Sequence, residues 1–93
     1  MIKEQIYSVK DVKAGNYLPP FTAGNDAVAI RSLSQIVNSG RGQMAEFPED
    51  FDLYHVGEWT VETAEVVSVI PRHVIHVINL KRGAQNVSTP TNN

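Results

Sequence analysis

Lys10, Lys13, Tyr17, Phe21, Arg31 and Arg41 interleave cations with aromatic rings along the first half of the chain. That mixture suits a nucleic-acid surface. Cations neutralise backbone phosphates, and flat rings stack on unpaired bases. Trp59 is a further ring of this kind, or else a contact between copies of the chain. The spacing matches no RNP-type motif and no helix-turn-helix. Read as residues alone, Tyr17 and Phe21 are more often core aromatics.

Two other groups of residues bear on chemistry. His73 and His76 stand three apart. On a helix both face one metal; on a strand they point to opposite faces. No third ligand has an evident place, so ordinary surface histidines and no metal are expected. Glu46, Glu49, Asp50 and Asp52 offer paired carboxylates, but Phe47, Pro48 and Phe51 interrupt them. No phosphate loop or nucleophile elbow accompanies these acids. A solvated acidic edge is the reading, with no catalysis and no cofactor. Cysteine is absent, which excludes disulfides and thiolate metal sites and accords with a reducing cytoplasm.

The elements that must position these residues follow from periodicity. Residues 4–9 alternate as a strand, and Gly15 and Asn16 permit a turn. Pro19 and Pro20 remove two backbone donors, so residues 18–21 cannot sit in a central strand. A helix is predicted over 26–38. Asn25 or Asp26 caps it, and Ile30, Leu33 and Val37 form its apolar stripe. Residues 39–50 read as a flexible connection, with Phe47 anchoring its end to the core. "DFDLYHV" alternates, with Phe51, Leu53 and His55 on one side and Asp52, Tyr54 and Val56 on the other. "EVVSVI" is β-branched. The two make an antiparallel hairpin that turns near residues 62–64. Residues 71–80 fit a strand or extended arm better than a helix, and 81–93 read as a flexible tail.

The predicted architecture is therefore one α+β domain over 4–80. A small antiparallel sheet, made of the N-terminal strand and the C-terminal hairpin, is covered by one helix. Its other face carries Tyr54, Val56, Val67 and Val69. An exposed apolar face of that kind predicts a homodimer.

Charge divides the chain sharply. Net charge is −2, and seven of the ten acids lie between Glu46 and Glu65, a stretch without Lys or Arg. A basic face can therefore coexist with an acidic total. No apolar run approaches the roughly 18 residues needed to span a bilayer. The N-terminal residues carry no apolar leader, so no membrane association or export is expected.

Three stretches in order, "IYSVKDVKAGNYLPPF", "NDAVAIRSLSQIVN" and "FPEDFDLYHVGEW", resemble the small nonstructural protein of gokushovirus-type microviruses. These are tailless phages with circular single-stranded DNA genomes. The resemblance covers roughly residues 5–59. Relatives tend to end the hairpin turn in Thr-Gly, where this chain has Thr63-Ala64. The resemblance implies an intracellular phage protein of the host bacterial cytoplasm, absent from the mature particle. It also implies DNA binding, at the stage where genome replication turns to single-strand synthesis and packaging. It supplies no residue roles.

Two functions are expected from these readings. The first is non-catalytic binding of single-stranded DNA without sequence specificity, through Lys10, Lys13, Arg31 and Arg41 on phosphates and Tyr17, Phe21 or Trp59 on bases. The alternative is a protein-interaction factor in phage assembly. It would have no DNA affinity of its own and would meet a capsid or replication protein through the acidic hairpin.

Overall fold

The computed structural model describes residues 1–82, and most of the expected tail lies outside them. Within the described residues, five strands form one antiparallel sheet, with one long helix and one short helix. This is the expected α+β arrangement. Strand β1 (Lys3–Asp11) runs through the middle of the sheet. Its outer edge is shared by two short strands, β2 (Asn16–Tyr17) and β3 (Phe21–Ala23). Its inner edge pairs with β4 (Phe51–Thr60), which pairs in turn with β5 (Val66–His76). Pro19 and Pro20 fall between β2 and β3, where no ladder donor is required.

Helix α1 (Asp26–Val37) starts at Asn25, whose side chain accepts from the Val28 amide. It lays Ala29, Leu33 and Val37 onto Tyr7, Val9, Phe51 and Leu53. Leu33 and Leu53 are almost fully buried, and each contributes about 1.5–3 kcal/mol of transfer free energy. Asn38 ends the helix and ties it to the C-terminal segment. Its Nδ2 donates to the Leu80 carbonyl, and its Oδ1 accepts from the Arg82 amide.

Residues 39–50 depart from the expected flexible connection. They form α2 (Gln43–Glu46) and a 3₁₀ turn (Pro48–Asp50). Ala45 and Pro48 are buried there, while Phe47 is 45% exposed and is not the anchor. Residues 71–80 divide. β5 continues to His76, and a 3₁₀ turn (Val77–Leu80) then drops Val77 into the core.

The hairpin is irregular near its middle and at its tip. Around Val56 the register passes from His55↔Arg72 to Gly57↔Ser68, leaving Val69, Ile70 and Pro71 unpaired. Pro71 thus sits where its missing N–H costs nothing. Gly57 passes so close to β5 that a Cβ would lie 2.7 Å from the Val67 carbonyl oxygen. At the tip, Ala64 has φ +64°, a conformation that costs a residue with a Cβ about 1–2 kcal/mol.

Candidate nucleic-acid interface

Among the described residues, the sheet has one face under α1 and one face open. Tyr7, His55 and Arg72 lie in one cross-strand row on the covered face. The Tyr7 hydroxyl donates to Asp26 Oδ1 at 2.6 Å, and the Arg72 guanidinium forks onto both Asp26 oxygens at 3.0 and 3.1 Å. The Arg72 fork, then the Tyr7 hydrogen bond, lower the Asp26 pKa against its partial burial. Burial, and then the Asp26 carboxylate, raise the Tyr7 pKa. Hydrogen bonding to Asp26 raises that of Arg72. These groups satisfy one another and join the first turn of α1 to the sheet.

The open face is built from the alternate residues. Ser8 on β1 faces Tyr54 on β4, and Tyr54 faces His73 on β5. Lys10 faces Tyr17 on one side and Asp52 on the other. Ser8 is small and buried, and its hydroxyl donates to the Leu18 carbonyl. Because it projects so little, the rings on either side of β1 meet. Tyr17 and Tyr54 pack edge-to-face with centroids 5.6 Å apart, and Tyr54 and His73 do the same at 5.3 Å. His76 extends the row, its ring centroid 4.4 Å from that of His73. The Lys10 ammonium stands over the Tyr17 ring, 5.7 Å from its centroid. Three aromatic rings thus cross the sheet from β2 to β5, with His76 beside the last of them on β5 and a cation at the Tyr17 end. An apolar depression lined by Tyr17, Leu18, Pro20, Val56 and Pro71 continues this surface.

The residues singled out from sequence divide between the faces. Lys10 and Tyr17 lie on the open face, and Lys13 is exposed at the β1–β2 turn. Phe21 is half-buried and packs on the Tyr7 ring at 5.9 Å. Trp59 is half-buried in a separate depression with Ile6, Pro20, Thr22 and Val66, and its indole N–H has no acceptor among the described residues. Arg31 is exposed on the side of α1 opposite Ala29 and Leu33, so the helix separates it from the sheet. Arg41 is exposed in the connection after α1. The structure therefore does not bring Arg31 to Lys10 and Tyr17. Tyr54, His73 and His76, which do stand with them, were missed as site residues. The alternation in "DFDLYHV" already placed Tyr54 opposite the core side.

The histidines need a further correction. Two strand residues three apart were expected on opposite faces. Val74 is bulged out of the ladder, so Leu53 pairs with Ile75 while the next residue, Tyr54, pairs with His73. Asp52 and Tyr54, two apart on β4, thereby face His76 and His73, three apart on β5. Both imidazoles come to the open face, and Asp52 supplies the third group that the sequence reading did not find.

The profile of a family described as "Phage ORF5 protein" matches residues 4–80. The chain belongs to the phage ORF5 protein family. Neither the curated proteins nor the solved structures provide a match. The ORF5 match spans all of the sheet but Lys3, together with α1 and the C-terminal 3₁₀ turn that closes the core. No helix among its described residues is long and apolar enough to cross a membrane.

Proposed function

We propose that this ORF5-family protein binds single-stranded DNA without sequence preference and without catalysis. It would act in the host bacterial cytoplasm of a microvirus-type phage, as genome replication turns to packaging. One observation carries this reading: the row Tyr17, Tyr54 and His73, with His76 and Lys10 beside it, on the face of the sheet opposite α1. Rings at strand spacing accept successive bases on their faces or edges, while the lysine meets phosphate. The binding residues of this reading are Lys10, Tyr17, Tyr54 and His73, with Lys13 at the rim. Phe21, Trp59, Arg31 and Arg41 are left to other roles.

The working form in this reading is a homodimer. β5 is a sheet edge that exposes Val66, Val67, Val69 and Ile70, and such an edge pairs readily with another strand. Light scattering that returns a monomer mass over a wide concentration range removes the dimer without touching the DNA reading.

The deciding experiment is fluorescence anisotropy of a labelled single-stranded oligonucleotide at low and physiological salt, with duplex as competitor. Binding that weakens as salt rises and prefers single strands supports the proposal. No binding at low salt removes it. That outcome favours the assembly-factor reading, for which Phe47, exposed between Glu46 and Glu49, offers a contact.

A further inference from the structure

We propose that Asp52, His73 and His76 form a binding site for a divalent transition-metal ion of the zinc class. The inference rests on the geometry of these three side chains and not on the DNA reading. His76 Nδ1 lies 2.6 Å and His73 Nε2 lies 3.4 Å from the same oxygen, Asp52 Oδ1. One ligand atom from each residue falls within 4.8 Å of the other two. In a tetrahedral zinc site with bonds of about 2.0–2.1 Å, neighbouring ligand atoms stand roughly 3.3 Å apart. The His73–Asp52 pair already has that spacing. The His76–Asp52 pair reaches it by a small rotation of an exposed imidazole.

The donor set has the right chemistry. Two neutral imidazoles and one carboxylate suit zinc and its first-row neighbours, whereas magnesium and calcium prefer oxygen donors throughout. Three protein ligands leave a fourth position open to solvent, which water or a phosphate oxygen can occupy. The backbone holds two of the ligands in place. Asp52 and His76 are direct cross-strand partners, and the bulge at Val74 brings His73 to the same face. The Tyr54 ring packs edge-on against His73 and limits its rotation. Asp52 is the least exposed of the three side chains, at 17%, so the site has a partly buried floor beneath two outer imidazoles. The charged group facing it from β1 is Lys10, whose ammonium lies over the Tyr17 ring.

The chain has three histidines and no cysteine, so background binding is low and His55 is an internal control. His55 lies on the covered face, hydrogen-bonded to Gln5. The test is isothermal titration of zinc chloride into the untagged full chain near neutral pH, with proton NMR of the imidazole rings. The expected result is one ion per chain. His73 and His76 resonances move first, and His73→Ala and His76→Ala each weaken binding about 10-fold or more. Both side chains are substantially exposed, so the variants keep the fold, which circular dichroism verifies. Asp52→Asn is a further variant that retains side-chain volume and is expected to weaken binding as well. Absence of heat and of ring shifts overturns the proposal. So does binding that persists in the double His73→Ala, His76→Ala variant.

Discussion

The two faces of one sheet handle the same kinds of residue in opposite ways. Under α1, an aromatic, an acid and a cation close on one another as Tyr7, Asp26 and Arg72. Each partner satisfies the others, and little is left for a ligand. On the open face, Tyr17, Tyr54 and His73 lie in a row with Lys10 at its end, Tyr17 and His73 exposed and Tyr54 half-buried. The difference lies in the partner element. A helix supplies a carboxylate and an apolar stripe to the covered face, and no element among the described residues does so for the other. Polar groups under a helix become structure, and those left uncovered keep their binding capacity.

The largest test of that contrast is Leu33→Ala. Leu33 packs into the covered face with 2% exposure, and its truncation is expected to cost about 2–5 kcal/mol in urea unfolding. Tyr54→Ala should reverse the pattern. It is expected to lower single-stranded DNA affinity by about 1–3 kcal/mol in anisotropy titrations, with a smaller loss of stability than Leu33→Ala. A stability loss equal to that of Leu33→Ala would make Tyr54 a core residue and break the comparison.

Asp26→Asn probes the closed polar group. It removes the charge that both Tyr7 and Arg72 engage, and should cost about 1 kcal/mol, moderated by solvent at the half-exposed ion pair. The pH response follows from the lowered Asp26 pKa. The charge–charge stabilisation is fully present above the unfolded aspartate pKa of about 3.9 and is lost as pH falls below it through the folded value. The wild type should therefore lose stability on acidification below about pH 4 more steeply than Asp26→Asn. Parallel acid-unfolding curves would remove this group from the account.

Ala64→Gly is the smallest change and belongs to neither face. Glycine relieves the positive φ at the hairpin tip, and thermal unfolding should show a gain of about 0.5–1 kcal/mol. DNA affinity should not change. If it does, the hairpin tip takes part in binding.

Much of the fold was legible because local rules decided it. Asn25 before an apolar stripe at helical spacing marks α1, and alternation in "DFDLYHV" sorts core from surface on β4. The helical turns at 43–50 were not legible. Gly40 and Gly42 read as flexibility, whereas packing of Ala45 and Pro48, with the Lys81 ammonium on the Ala45 carbonyl and the Val12 amide on the Asp50 carbonyl, holds that segment. The candidate site was half legible. Lys10 and Tyr17 were visible as residue types, but which cations share their face depends on where α1 docks, and that docking excludes Arg31.

The amino-acid order alone determined a strand, a capped helix and a β-branched hairpin, because capping, periodicity and proline restrictions act within a few residues. Tertiary structure alone decided that Tyr17, Tyr54 and His73 align across strands far apart in sequence. It also decided that His73 and His76 meet over Asp52. Both depend on register between strands, and a single bulged residue, Val74, changes which face a side chain occupies.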